Sequence, residues 1–214
     1  MIEVHTWATP NGHKVHIMLE ECGLPYRVHK INIGTNSEQF TPEYLKINPK
    51  HKVPSLVVNG KILTENVAIH QWVHQNFPHA KILPADPWDQ LQAIALHSWC
   101  ASGIHPYLSR INNPAKVCDT AGSSDSVVKV ATEFLFENFK IGDDLLAGRE
   151  YFFDHFTAPD AHFFWCCRRA TQLRVDISAF SNVVSHFKRM QERPSVKKLL
   201  AYEKQLNEGF AKTA

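Results

Sequence analysis

The sequence lacks a long apolar run and a basic leader that could precede one. Met1 to His5 contains no cluster of basic side chains, which argues against a signal peptide. No apolar stretch approaches the roughly 20 residues that a membrane-spanning helix needs. We therefore expect a cytoplasmic protein that has no contact with a membrane.

A strong charge of either sign is also missing. The chain has 23 basic and 21 acidic side chains, which gives a formal net charge of +2. Because this balance creates no extended positive field, we expect no nucleic acid partner.

Cysteine pairs and metal-ligand motifs are absent as well. The five cysteines contain no C-x-x-C spacing, which indicates neither a disulfide scaffold nor a zinc site. We interpret the adjacent Cys166 and Cys167 as reduced, buried thiols. His70 and His74 are four residues apart on a predicted helix, but no third ligand is evident, so we assign them to a solvated face. No bound metal is expected.

The first part of the chain instead alternates short strands and helices. Strands are predicted at residues 2–7 and 26–33, with a helix between them that Gly23 ends. A short helical segment follows, then a hairpin whose turn is Asn59-Gly60, and then a helix at residues 65–76. This β-α-β, β-β-α order is the one found in thioredoxin-like domains.

Three prolines, Pro78, Pro84 and Pro87, cannot continue a helix and are interpreted as a linker. Beyond them, apolar side chains repeat with the period of a helix, as in Val127, Val130, Ala131, Phe134 and Leu135. The predicted fold class is therefore an α/β thioredoxin-like N-terminal domain followed by an all-α C-terminal domain. The predicted boundaries are residues 1–77 for the first domain, 78–88 for the linker and 89–214 for the helical domain.

A polar cluster, Thr9-Pro10-Asn11-Gly12-His13-Lys14, lies between the first strand and the first helix. The amide groups and the dipole of a helix N-terminus favour an anion there. Thr9 and Asn11 add side chains that can donate hydrogen bonds to such an anion. A plain helix cap with proline in the first turn is the alternative interpretation.

Two further clusters are predicted at the same end of the sheet. A cis Val53-Pro54 bond would turn the main chain of Val53 toward a cleft, although a trans bond is the commoner form. Glu65 and Asn66 offer a carboxylate and an amide at the start of a helix. The alternative is that Thr64 caps an acidic first turn.

Together the three clusters resemble the glutathione transferase family over essentially the whole chain. Val53-Pro54 resembles the cis-proline motif of that family, and Glu65-Asn66 resembles its Glu-Ser pair. The cluster at residues 9–14 resembles the bacterial nu class, whereas Ser102 to His105 is similar to a segment of the beta class. The chain thus resembles a mosaic of a nu-like N-terminal motif and a beta-like C-terminal domain.

The resemblance implies a glutathione site in the N-terminal domain. Glu65 would pair with the α-ammonium of the γ-glutamyl end, and Asn66 would hold its α-carboxylate. Val53 would form two main-chain hydrogen bonds with the cysteinyl unit, while Pro54 has a structural role. The residues that would reach the glycyl carboxylate are Gln39, His51 and, as the best candidate, Lys52.

The resemblance also assigns catalytic residues. The Thr9-to-Gly12 segment has no Tyr, Ser or Cys, which other classes place there, so Asn11 and Thr9 would stabilise the glutathione thiolate. His105 would act as an acid, as a donor to the leaving group or as a structural residue. Thr157 and Asp160 would form a structural capping box.

The implied activity is that of a glutathione transferase, with glutathione as co-substrate. The enzyme would conjugate a small hydrophobic electrophile, a detoxification reaction, or reduce a disulfide or a peroxide. The alternative is a non-catalytic glutathione-binding regulatory protein of the same fold. The resemblance further implies a homodimer.

Overall fold

The computed structural model describes residues 1–7, 10–34 and 36–211, without the side chains of residues 10, 11, 13 and 206–211. Contacts within the chain define two compact units. The first unit combines residues 1–82 with 193–214, and the second unit is formed by residues 83–192. The domain boundaries given above stay a prediction.

A mixed four-stranded sheet forms the centre of the first unit. Its strands have the order β2-β1-β3-β4, with β2 parallel to β1 and the other pairs antiparallel. Asn59 and Gly60, with φ angles of 49° and 79°, form the β3–β4 turn, because both positions require left-handed backbone. The strands are β1 (Ile2–Thr6), β2 (Tyr26–Lys30), β3 (Ser55–Val58) and β4 (Lys61–Thr64).

Helices pack closely on this sheet. Alternate residues of β1, namely Ile2, Val4 and Thr6, are buried, as the two-residue period of a strand requires. A Cβ atom at Gly12 would lie 1.9 Å from Thr6 Oγ1, so helix α1 approaches β1 at a distance that only glycine allows. The helices of this unit are α1 (Pro10–Glu21), α2 (Pro42–Leu45), α3 (Asn66–Asn76) and α9 (Pro194–Ala211).

The last helix of the chain belongs to the first unit because α9 contacts α1. The Glu21 carboxylate accepts hydrogen bonds from Arg193 Nη2 at 2.7 Å and from Ser195 Oγ at 2.5 Å. Lys198 Nζ lies 2.7 Å from a carboxylate oxygen of Glu20. These contacts join residues from the two ends of the sequence.

The second unit is built from helices alone among the elements that the structure describes there. Helix α4 begins at Pro87, inside the predicted linker, because proline fits the first turn and Asp86 accepts the amide hydrogens of Trp88 and Asp89. One π-helical turn, Cys100–Ile104, follows α4. The helices are α4 (Pro87–Trp99), α5 (His105–Asn112), α6 (Ser124–Leu145), α7 (Ala158–Gln172) and α8 (Ser181–Glu192).

Helix α7 lies in the core of the second unit, and Asp160 organises its start. The Asp160 carboxylate accepts hydrogen bonds from the N–H and the hydroxyl of Thr157, both at 2.8 Å. It also accepts the N–H of Phe152 at 3.1 Å and contacts His186 Nε2 at 3.0 Å. Because Asp160 is fully buried, these contacts replace the water that its carboxylate loses.

This sheet-and-helix unit and the helical second unit confirm the predicted fold class. Cys166 and Cys167 are free and buried, and burial raises the pKa of the Cys167 thiol well above its usual value. No described helix is both long and apolar enough to cross a membrane. The solvated face expected at His70 is wrong, because His70 is buried and only His74 is partly exposed.

Candidate functional site

The start of α3 is the best-defined part of the candidate site. Helix α3 begins at Asn66, after Glu65, which adopts a φ of 72°. No side chain in the described part of the chain caps this helix, so its first amide groups point outward without a side-chain acceptor. The alternative that Thr64 caps the helix is wrong, because Glu65 is the N-cap residue and α3 has no side-chain cap among the described residues; the Thr64 hydroxyl instead accepts a hydrogen bond from Lys50 Nζ at 3.0 Å.

Lys50 also forms an ion pair with the Glu65 carboxylate. Both side chains remain accessible to solvent, with exposed fractions of 49% for Lys50 and 67% for Glu65. The carboxylate predicted to receive an ammonium group therefore already faces one from the protein. Sequence reasoning missed Lys50 because the pair spans 15 positions and carries no local pattern.

Two amide side chains at the site have buried oxygen atoms without a partner. Asn66 Oδ1 and Gln39 Oε1 accept no hydrogen bond from any residue that the structure describes. A buried amide oxygen without a donor is unfavourable by about 1–3 kcal/mol. Both side chains are thus suited to a ligand that supplies donors, and a half-turn of the amide would present its NH₂ group instead.

The Val53–Pro54 peptide has the predicted cis geometry. The turn before it is held at Lys52, whose carbonyl oxygen accepts hydrogen bonds from Tyr44 Oη at 2.5 Å and from Asn48 Nδ2 at 2.8 Å. Among the described residues, the main chain of Val53 has no hydrogen-bond partner. Its N–H and C=O groups are therefore available to an extended peptide.

Tyr44 and Asn48 are functional candidates that sequence reasoning missed. Both side chains are buried, and both also contact Ser55 Oγ, at 3.1 Å and 3.3 Å respectively. The Tyr44 hydroxyl has a raised pKa, chiefly because of its burial. Sequence reasoning missed them because these residues contact the Lys52 carbonyl and the Ser55 hydroxyl and not a ligand.

The candidates for the glycyl end lie on the surface of the first unit. His51 has a φ of 47°, and its ring centroid lies 4.8 Å from that of Phe40. Lys52 is exposed and directs only its main-chain carbonyl into the unit. Gln39 lies beside Phe40 in a short 3₁₀ turn, Glu38–Phe40.

The predicted thiolate donors are Thr9 and Asn11. Thr9 and the side chain of Asn11 lie outside the described residues. The main chain of Asn11 belongs to the first turn of α1, which Gly12 brings against β1. Their catalytic role stays a prediction.

His105 belongs to the second unit. It begins α5, directly after the π-helical turn, and its ring lies edge-on to Trp165 with centroids 4.4 Å apart. A π-helical turn is frequent at functional sites. The catalytic role of His105 nevertheless stays a prediction.

Comparisons with known proteins agree with the geometry of the first unit. The family model for the N-terminal domain of glutathione S-transferases matches residues 8–76. The glutathione S-transferase GstA of Escherichia coli O157:H7 is 25% identical over 193 residues, which cover 88% of this chain and 92% of that protein. The disulfide-bond oxidoreductase YfcG of Escherichia coli K12 is 46% identical over 57 residues, 27% of this chain and 26% of that one.

A solved structure extends the likeness to both units. A glutathione transferase homologue from Sulfitobacter, determined with bound glutathione, has a TM-score of 0.84 with this chain at 25% sequence identity. The alignment covers 94% of this chain and 98% of the homologue. The matched N-terminal domain, the relative aligned over most of both chains and the shared fold lead to one conclusion: residues 8–76 form a glutathione S-transferase N-terminal domain, and the chain as a whole is similar to glutathione transferases.

Proposed function

We propose that the chain binds glutathione in its first unit and activates the thiol for reaction with a second substrate. The observation that carries the proposal is that the Glu65 carboxylate lies directly beside the uncapped start of α3. The γ-glutamyl end of glutathione has an ammonium and a carboxylate on one carbon atom. It therefore requires an anionic group and a set of donors side by side.

Both requirements are met within two consecutive residues. Glu65 provides the carboxylate for the ammonium, and the first amide groups of α3 provide donors for the carboxylate. The unpaired Asn66 Oδ1 can accept from the ammonium, whereas its NH₂ group can donate to the ligand carboxylate. Asn66 thus fills the place of the serine that the family usually has.

The rest of the tripeptide would extend past Val53. A cysteinyl unit in extended conformation offers one N–H and one C=O, which complement the unpaired main-chain groups of Val53. The glycyl carboxylate would then meet Lys52, His51 or Gln39. Lys52 is the best candidate because it is exposed and its ammonium group can pair with a carboxylate.

The thiol would be activated without a general base. A free thiol has a pKa of about 8.5. A hydrogen bond from Asn11 to the thiolate, at about 1.5–3 kcal/mol, lowers that pKa by roughly one to two units. The dipole of α1 adds about 0.3–1 kcal/mol in the same direction. Glutathione would then be substantially ionised at neutral pH.

Two reactions follow from an activated thiolate. It can displace a leaving group from an electrophile, or it can attack a disulfide or a peroxide, after which a second glutathione completes the reduction. The local match to a disulfide-bond oxidoreductase favours disulfide reduction, and the longer match to GstA favours conjugation. Nothing in the matched proteins favours the non-catalytic alternative.

Glutathione binding to the Glu65→Ala variant tests the proposal. We expect calorimetry to give a loss equivalent to about 2–5 kcal/mol, as for a charge pair that the bound ligand buries and that is then deprived of one partner. Glu137→Ala, which removes an exposed carboxylate from the second unit, is the matched control and should bind like the wild type. Equal affinity of the Glu65 variant and the wild type would contradict the assigned role.

A substrate panel tests the type of reaction. The wild type is given glutathione with an activated aryl chloride, a small organic disulfide or an organic hydroperoxide. Conjugation consumes one glutathione for each aryl chloride, whereas each reduction consumes two and forms one glutathione disulfide. Absence of turnover with all three, together with tight glutathione binding, would support the regulatory alternative.

We also expect a cytoplasmic homodimer. The support is the resemblance to the family, in which the site lies near a two-fold interface. Sedimentation velocity at micromolar concentration should give about twice the monomer mass, and a monomer alone would contradict this expectation.

A further inference from the structure

A second cluster of chemically capable side chains lies on the sheet of the first unit, outside the candidate glutathione site. Glu3 and His5 are two residues apart on β1 and therefore project from the same face. His29 on β2 is paired in register with His5. One potential ligand atom from each of the three side chains lies within 4.8 Å of the others.

The three side chains are in direct contact. The rings of His5 and His29 are stacked, with centroids 4.4 Å apart and an interplanar angle of 7°. His29 Nε2 lies 2.6 Å from Glu3 Oε2, yet this nitrogen is buried and makes no hydrogen bond of acceptable geometry to a described residue. The contact thus leaves the nitrogen without a well-oriented partner.

We propose that Glu3, His5 and His29 bind a divalent transition-metal ion, with Zn²⁺, Cu²⁺, Ni²⁺ and Co²⁺ as the chemical class. Two imidazole nitrogens and one carboxylate oxygen form a donor set that such ions prefer, whereas Mg²⁺ and Ca²⁺ prefer oxygen atoms alone. Three protein ligands leave a further position for water. The partial exposure of His29 and Glu3, at 35% and 32%, gives that water access.

Coordination requires side-chain rotations, and the two imidazole rings must leave their parallel stacking because the lone pair of each nitrogen lies in the ring plane. Two ligand atoms at about 2.0–2.1 Å from a tetrahedral zinc ion lie roughly 3.3 Å apart. Glu3 must therefore move away from His29 by less than about 1 Å, and the donor of His5 must approach by a χ rotation. The main chain needs no change, because hydrogen bonding between β1 and β2 already fixes the three Cα atoms.

In the part of the chain that the structure describes, no cation other than His29 contacts the Glu3 carboxylate. Arg27 is opposite Glu3 in the β1–β2 register, but among the described residues Glu3 forms its ion pair with His29. Tyr44 lies near His5, with ring centroids 6.5 Å apart, and restricts the positions available to that imidazole. The earlier pair, His70 and His74, is less suitable because His70 is buried.

Zinc titration by calorimetry tests the site, in a buffer that does not coordinate metals. We expect one saturable site in the wild type and a loss of affinity of ten-fold or more in each of Glu3→Gln, His5→Gln and His29→Gln. His79→Gln, which removes an exposed histidine elsewhere in the first unit, should bind zinc like the wild type. In the wild type, Co²⁺ should give the intense visible absorption of a low-coordinate site.

Two results would overturn the proposal. One is an absence of saturable zinc binding, or equal binding in all variants. The other is a loss of binding in Glu3→Gln and His29→Gln with none in His5→Gln, which would show that His5 is not a ligand. Circular dichroism and metal-free melting curves of each variant establish that it is folded. Glutathione plays no part in these measurements, so the outcome is independent of the proposed function.

Discussion

Lys50 and Glu65 form an ion pair at the point where glutathione is expected to place its ammonium group. The Lys50 ammonium has the same charge as the ligand ammonium that would pair with Glu65. Glutathione must therefore displace Lys50, or Lys50 must turn toward the α-carboxylate of the ligand. Exposed ion pairs are worth about 0–1 kcal/mol, so displacement is energetically accessible.

Replacing Lys50 should reveal this competition. In the Lys50→Met variant the Glu65 carboxylate has no internal cation, and glutathione should bind about two- to five-fold more tightly, which corresponds to the worth of an exposed pair. Calorimetry at two salt concentrations measures the effect, and Lys46→Met provides an exposed lysine as control. Weaker binding would instead mean that Lys50 contacts the carboxylate of the ligand.

Asn11 should control the acidity of bound glutathione. Asn11→Ala removes the proposed donor, so the pKa of the bound thiol should rise by roughly one to two units. Activity at neutral pH should fall about ten-fold or more and should partly recover at higher pH. Thr9→Val should give a smaller shift.

A thiolate absorbance titration of both variants and the wild type distinguishes the roles of Asn11 and Thr9. A shift in Thr9→Val alone would exchange the two assignments. Unchanged titration in both variants would exclude them and direct attention to His105.

Gly12 should be intolerant of a side chain. A Cβ atom there would lie 1.9 Å from Thr6 Oγ1 and 2.9 Å from the Trp7 carbonyl oxygen. Although alanine is the better helix former by about 1 kcal/mol, we expect Gly12→Ala to lower the free energy of unfolding by about 1–3 kcal/mol. Denaturant unfolding followed by circular dichroism provides the measurement.

A double variant tests the cause of that loss. Thr6→Ala removes the nearest atom, so it should restore part of the stability that Gly12→Ala loses. Strict additivity of the two substitutions would show that the close approach of α1 to β1 is not responsible.

The first unit should lose stability in mild acid because of His70. Burial, with a smaller contribution from the charge of Lys14, lowers the pKa of His70 to about 3. An unfolded histidine has a pKa of about 6.5, so between these values the unfolded chain binds a proton that the folded chain does not. Stability is therefore complete above pH 6.5 and falls by up to about 1.4 kcal/mol per pH unit down to pH 3.

His70→Leu isolates this contribution. Its free energy of unfolding should depend less steeply on pH than that of the wild type, whatever its value at neutral pH. Burial also lowers the pKa of His16 to about 4, so part of the slope should remain. Parallel pH profiles of the variant and the wild type would refute the assignment.

Local signals in the sequence were sufficient for the fold and for part of the site. Asn59-Gly60 predicts its hairpin because both positions need left-handed backbone, and this requirement does not depend on distant residues. The position of Glu65 and Asn66 at a helix start was also predictable, because it depends only on neighbouring residues. The interpretation of Thr64 as a helix cap was wrong, because no described side chain caps α3 and the Thr64 hydroxyl accepts a hydrogen bond from Lys50.

Contacts between distant positions were not predictable. Tyr44 and Asn48 support the Val53 turn through the carbonyl of Lys52, a main-chain atom that carries no sequence signature. The Glu3, His5 and His29 cluster arises from the β1–β2 register, which places residues of two separate segments side by side. A single sequence predicts which segments form strands but not the register that brings particular side chains of two strands into contact.

The attachment of α9 to α1 has a consequence for how the protein is made. The segment that covers α1 is synthesised after the whole second unit, whereas α1 is synthesised before it. The second unit is continuous in the chain and can fold while synthesis proceeds, since domains generally fold as units during translation. The first unit, in contrast, is completed only after the second unit has been synthesised, when Arg193 and Ser195 reach Glu21.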